Sequence, residues 1–267
     1  GIATWTDRAN TGVASFDGSN DYIQVSSNGI GTFNNQSFTI SAWVKFDTVD
    51  ADHTIFSYDF TSHANPYNAC HLRLHYSGKL FLAWNDSSSD QSLMTTSTYS
   101  ADTWYHIACT FTSGSQKIYV NNSLEASSTR ADTITYYAQE VWIGRANLGW
   151  YMDGLMANVS IFDVSLTASE VTELYAIDKR SSISGHSKFS NCVGSWLMGA
   201  GTGDTASTIQ DQTSENNDAT VSDASLIGYN DGTASGSPVS IVIPEGSTSD
   251  RDNQGFLLSD TTTISNG

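Results

Sequence analysis

Glycoside hydrolysis needs two carboxyl groups set about 5–10 Å apart across the scissile bond. On a strand that means acids on one face, at i and i+2 or i+4, as in Glu-x-Asp-x-x-Glu. The sequence has no such cluster: Glu125 and Glu140 stand alone, and Glu170 and Glu173 fall in a segment that reads as helix. No catalytic residues are expected. His71 and His75 in "HLRLH" share a strand face but sit about 13 Å apart at strand rise, too far for one metal. They read as polar residues of a solvated face. "GAGTGD" lacks the Lys-Ser/Thr of a phosphate loop and reads as a turn, and there is no Gly-x-Ser-x-Gly elbow.

Calcium binding needs several oxygen ligands, carboxylates among them. The turn "DQTSENND" offers Asp211, Asn216, Asn217 and Asp218. The expectation is that these side chains cap their own turn and that no metal or other cofactor is held, with a structural calcium as the alternative. Carbohydrate binding would use an aromatic platform beside polar groups. "NLGWYMDG" puts Trp150 and Tyr151 in a loop, and "TITYYAQE" adds Tyr136 and Tyr137. These four are the candidate sugar-binding residues. Trp43 and Trp142 alternate away from apolar neighbours and are assigned to packing.

Short β-rich runs must position these groups. In "SFTISAWVKF" Phe38, Ile40, Ala42 and Val44 alternate with Thr39, Ser41, Trp43 and Lys45. "CHLRLHY", "KLFLAW", "WYHIACTF", "QKIYVNN", "EVWIG" and "MANVSIF" follow, separated by Gly, Asn, Ser and Asp. Asn121 and Asn122 mark a hairpin turn. One segment reads as helix: Thr167 and Glu170 form a capping box, and Val171, Leu174 and Tyr175 recur at helical spacing. The expected class is all-β, two packed antiparallel sheets in a sandwich or jelly roll, with one short helix.

The chain has 267 residues, 39% of them hydrophobic, enough for a sizeable core. Its 28 acids against 11 bases give a net charge of −17, which argues against nucleic acid and anionic membranes as partners. No run of about 18 apolar residues occurs, so no membrane insertion is expected. Cys70, Cys109 and Cys192 are odd in number and widely spaced, and fit a reducing compartment rather than a disulfide framework.

Taken in order, "SFDGSNDYIQV", "SFTISAWVKF", "DTWYHIACTF", "KIYVNN" and "GLMANVSIFDVSLTASEVTELY" resemble the laminin-G-like branch of the concanavalin A-like jelly rolls. The resemblance implies two curved antiparallel sheets. In that family a strand like "VGSWLM" and an acidic turn usually open the domain, whereas here they follow the helix. Residues 179–234 are therefore expected to fold back and complete the sandwich of residues 1–178 in permuted order, with the opening part of a second module as the alternative. Trp196 and Leu197 should pair beside Asn158–Phe162. The family's calcium site uses an Asp before the last sandwich strand, where this chain has Ala157 followed by Asn158.

The tail segments "SGHSKFSNCVGSWLMGAGTGDTASTIQDQTSENNDATV" and "SPVSIVIPEGSTSDRDNQGFLLSD" also resemble virion proteins of tailed, marine bacteriophages. That resemblance implies a non-enzymatic capsid-decoration or tail-associated subunit, assembled in a bacterial cytoplasm. Its partners would be other virion proteins or copies of itself, with glycan adhesion as a possible addition. Residues 235–267 would be the assembly contact, through Val239, Ile241, Ile243, Phe256 and Leu257. The alternative implied by the sandwich itself is an extracellular carbohydrate-binding module or adhesin.

Overall fold

Alternation orients one of the two longest strands. Across Ser37–Phe46, the side chains of Phe38, Ile40, Ala42, Val44 and Phe46 are fully buried in the core. This computed structural model describes residues 12–25, 37–59, 68–85, 90–134, 140–146 and 149–223. The chain divides into two units, Gly1–Asn230 and Asp231–Gly267. The second unit, with Val239, Ile241, Ile243, Phe256 and Leu257, lies outside the described residues.

The strands are β1 (Ala14–Asp17), β2 (Ile23–Val25), β3 (Ser37–Phe46), β4 (His53–Asp59), β5 (Asn68–His75), β6 (Lys79–Asn85) and β7 (Asp90–Met94). Then come β8 (Trp104–Thr112), β9 (Ser115–Val120), β10 (Ser123–Ser128), β11 (Glu140–Ile143) and β12 (Asp153–Phe162). A helix, α1 (Ala168–Ala176), precedes β13 (Cys192–Trp196), β14 (Thr208–Ile209) and β15 (Ala219–Val221). One sheet runs β1-β12-β3-β8-β9-β10, with β13 also on β12, and the other runs β14-β15-β2-β11-β4-β5-β6-β7. Every pairing is antiparallel. The inward residues of both sheets form one hydrophobic core. Asn121 and Asn122, at φ 47° and 67°, make the β9–β10 turn as their type suggests. Among the described residues no helix is long and apolar enough to cross a membrane.

The strands that follow the helix join both sheets. β12 has β3 on one side, and its other edge is shared: β1 pairs Asp153–Met156 and β13 pairs Val159–Phe162, with Val159 opposite Trp196. Leu197 lies just past the strand and is buried. β15 caps the other sheet at β2, Val221 opposite Ile23. Asn158, at φ 46°, takes the bulge in the β12–β3 register and donates to the Ser181 carbonyl at 2.9 Å.

The turn between β14 and β15 is held from within. The Asp211 carboxylate accepts from the amides of Ser195 (2.9 Å), Thr213 (3.0 Å) and Asn217 (3.0 Å) and from Thr213 Oγ1 (2.7 Å). Asp218 Oδ1 accepts from the Asp211 amide at 3.0 Å. The fully buried Trp196 donates through Nε1 to the Asn217 carbonyl at 2.9 Å. The acidic turn thus clasps β13 of one sheet to β14 and β15 of the other.

The outer face of the first sheet is also covered, which its alternation does not show. Thr39 and Ser41 are buried because α1 and its flanking segments lie over them. Thr39 Oγ1 donates to the Val164 carbonyl at 2.8 Å and accepts from the Leu166 amide at 2.9 Å. The capping box closes as expected, with Thr167 N–Glu170 Oε2 at 2.7 Å. Val171 and Leu174 are buried, while Tyr175 leaves the core and stacks on Trp43 with centroids 5.8 Å apart.

Replacing Asp211 by Ala strands the buried Ser195 and Asn217 amides without acceptors. The expected loss is about 2–5 kcal/mol in urea unfolding, with Asp211→Asn between the two because it keeps one acceptor oxygen. A loss under about 1 kcal/mol for Asp211→Ala would show that the clasp does not hold the sheets.

Candidate functional site

Register places one row of outward side chains across the second sheet: Thr220, Gln24, Trp142, Ser57, His71, Ala83 and Ser92 are successive partners. Arg73 lies one pleat along from His71, opposite Phe81. The "HLRLH" face is therefore not solvated as the sequence suggested. His71 is only 6% exposed and Arg73 8%. Trp150 lies over it: the Arg73 guanidinium carbon is 4.0 Å from the Trp150 ring and 4.7 Å from Phe81. The His71 ring stands 5.8 Å from Phe81 and 6.0 Å from Trp150. The periodicity of β5 cannot show this cover, because it comes from a segment some 75 residues later in the chain.

Charge on this face follows from burial. Arg73 Nη1 meets Asp52 Oδ1 at 2.9 Å in an ion pair. Burial lowers the Arg73 pKa while Asp52 opposes that shift. Burial, then the neighbouring Arg73, pushes His71 down to about 3, so its imidazole is neutral at neutral pH.

A second arginine sits on the same face. Gly144 turns the chain out of β11 at φ 83°, where a Cβ would come within 2.4 Å of Phe16. The next residue, Arg145, is fixed by its backbone, its carbonyl accepting from Ser57 Oγ at 2.7 Å. Its guanidinium carbon lies 4.4 Å from the Trp142 ring, 4.8 Å from Tyr22 and 5.7 Å from Tyr151. Trp142 is buried beneath it, while Tyr22, Gln24, Arg145, Trp150 and Tyr151 stay half-buried at the surface. Arg145 Nε and Trp142 Nε1 are buried donors with no acceptor.

The structure thus brings Trp150 and Tyr151 together with two arginines, while Tyr136 and Tyr137 lie outside the described residues. Sequence reasoning missed Arg73, Arg145 and Tyr22, and left Trp142 to the packing. The available signal was "EVWIGR", an outward tryptophan three residues before a cation, with a glycine turn between them. Trp43 stacks beneath Tyr175 on the opposite sheet, as packing would have it.

Other carboxylates make local contacts. Asp17 Oδ1 accepts from the amides of Ser19, Asn20 and Asp21, and Asp21 Oδ2 accepts from the Asp17 amide. Asp47 and Asp153 lie close enough that burial, then Asp153, raises Asp47. Glu125 accepts from Ser97 Oγ at 2.7 Å. The Asp211–Asp218 acids accept backbone amides. Among the described residues, no three His, Cys, Asp or Glu side chains are grouped so as to hold a metal ion.

The family model described as the concanavalin A-like lectin/glucanases superfamily matches residues 17–172. No curated protein matches the chain. Among solved structures, a protein from Bacteroides ovatus ATCC 8483, described as a candidate carbohydrate binding protein, superposes with a TM-score of 0.59 at 21% identity. That match covers 79% of this chain, which spans only 57% of the Bacteroides protein's length. The CBM40 module of the Ruminococcus gnavus IT-sialidase, bound to α2,3-sialyllactose, superposes with a TM-score of 0.51 at 13% identity, over 61% of this chain and 98% of the module. At these identities the likeness is one of fold.

Two outcomes follow from the buried charges. Asp52→Ala leaves Arg73 uncompensated and should cost about 3–5 kcal/mol in urea unfolding. A change under about 1 kcal/mol would mean that Arg73 is not electrostatically buried. His71, at about 3, and His106, at about 4, are bases held below their ordinary 6.5 by burial. The unfolded chain takes up their protons first. Their contribution is complete above pH ~6.5 and falls with acidification toward pH ~4, at up to about 1.4 kcal/mol per pH unit for each. His71→Gln should flatten that slope by about one proton. An unchanged slope would show that His71 titrates normally in the folded state.

Proposed function

The chain belongs to the concanavalin A-like lectin/glucanases superfamily, and we propose that it is a non-enzymatic carbohydrate-binding module. The glycan would lie on the outer face of the β2–β11–β4–β5 strands. One observation carries this reading: Tyr22, Trp150 and Tyr151 stand half-buried around two guanidinium groups on a single sheet face. Pyranose rings present apolar C–H faces with polar rims, and rings fixed beside hydrogen-bond donors suit both. The rings are held by contact with Arg73 and Arg145, so little side-chain freedom remains to be lost on binding.

The structural neighbours support the same reading, since both that were compared are described as carbohydrate-binding. A module fits better than a glycosidase because Asp52, the carboxylate that meets this cluster, is already engaged by Arg73. The virion reading rests on tail segments of which residues 224–267 lie outside the described part of the chain, and no feature of the described sandwich favours it.

The test is a glycan array followed by titration calorimetry on the best ligand. Trp150→Ala and Tyr151→Ala should each weaken binding at least about tenfold, or about 1.4 kcal/mol. Leu124→Ala, exposed on β10 of the other sheet, should leave it unchanged. Binding insensitive to both aromatic changes would move the site elsewhere.

A further inference from the structure

We infer, resting on the glycan-binding reading above, that Arg145 anchors the acidic group of an anionic sugar. The chain carries 11 Lys and Arg against 28 Asp and Glu, so a cation near the surface ordinarily finds a carboxylate. Lys45, Arg73, Arg130 and Lys188 each do, with Asp102, Asp52, Asp132 and Glu170. Among the described residues Arg145 has no such pair, nor do Lys79 and Lys117, but Arg145 differs from those two lysines in being enclosed by aromatic rings. Its neighbours are the faces of Trp142, Tyr22 and Tyr151.

Aromatic faces contact a guanidinium across its plane and leave its in-plane donors unmet. Arg145 Nε is sealed in without an acceptor, and so is Trp142 Nε1 beside it. Buried donors left this way are uncommon and costly, and they return nothing to the fold. Arg145 is half-buried, and its two terminal nitrogens have no protein acceptor among the described residues. Together they present a flat fork whose matching partner is an oxyanion bound through two parallel hydrogen bonds.

The mounting is rigid. Ser57 Oγ holds the Arg145 carbonyl, and the preceding residue is fixed by Gly144 N–Ile55 O at 3.1 Å and Met152 N–Gly144 O at 2.8 Å. The guanidinium is therefore pre-oriented, and the rings that hold it would also contact a sugar. Arg73 is the supporting cation rather than a second anchor, because Asp52 already neutralises its charge. The net charge of −17 opposes this little at short range, since salt screens charges beyond about 8 Å under physiological conditions. The shared chemistry is an oxyanion on a sugar ring. A carboxylate fits the planar fork best, and a sulfate ester is the other source.

Calorimetry on the full chain tests this with trigalacturonate, 3′-sialyllactose and a sulfated galactan oligosaccharide. Neutral partners are lactose, xylotriose and maltotriose. An acidic probe should bind at least tenfold more tightly than the neutral ones. R145Q should erase that difference with its melting temperature unchanged, and R145K should restore only part of it, because an ammonium keeps the charge but not the fork. Whichever acidic probe depends on Arg145 identifies the oxyanion as carboxylate or sulfate. Neutral binding equal in wild type and R145Q, with no acidic preference, would overturn the anchor and leave the glycan reading standing. No binding by any probe or on the array would overturn both.

Discussion

One carboxylate ties the two sheets together. Asp211 takes a bond from Ser195 in β13 and another from Asn217 just before β15, so strands of opposite sheets share an acceptor. This matters because each sheet has an edge that only the late residues cover: β13 fills the half of β12 that β1 leaves open, and β15 covers β2. Uncovered, those edges would be free to pair with other chains. Trp196 reinforces the clasp, its ring in the core and its N–H on the Asn217 carbonyl. The oxygen-rich turn that resembles a family calcium site thus satisfies its carboxylates with amides.

With the edges closed, the outer faces become the variable part. The second sheet has no helix on its outer face among the described residues. Instead the segment around Trp150 lies over Arg73 and His71, and Arg145 lies over Trp142. Burying an arginine needs a partner, and the two arginines solve this differently. Arg73 has Asp52, whereas Arg145 has only ring faces. The first is neutralised by a carboxylate, whereas the second has no counter-charge among the described residues.

Much of the fold was legible because it is written in period. Phe38 to Phe46 alternate with no break, Thr167 and Glu170 meet at the spacing of a capping box, and Asn121–Asn122 turn a hairpin as their type suggests. The late strands were legible only through resemblance, since nothing in "VGSWLM" itself names β12 as its partner. The candidate site was half legible. Trp150 and Tyr151 stand out as loop aromatics, but Arg73 reads as one charged residue in an alternating strand. Its burial depends on Asp52 and Trp150, which are distant in sequence. Arg145 reads as an ordinary turn cation until Tyr22, Trp142 and Tyr151 converge on it from three separate segments.

The two outer faces also differ in what they leave for a ligand. On the first sheet, Thr39 both donates and accepts within the layer under α1, and Ser41 meets His106 at 2.9 Å. Val171, Leu174 and Ile183 seal that layer with apolar contact. Opening it would expose hydrophobic surface with no polar recompense, so it serves stability. On the second sheet the cover is thin, aromatic and cationic, and its outermost groups keep donors facing out. A jelly roll has two such faces, and here one is sealed by a helix and apolar side chains while the other carries aromatic rings stacked on two arginines.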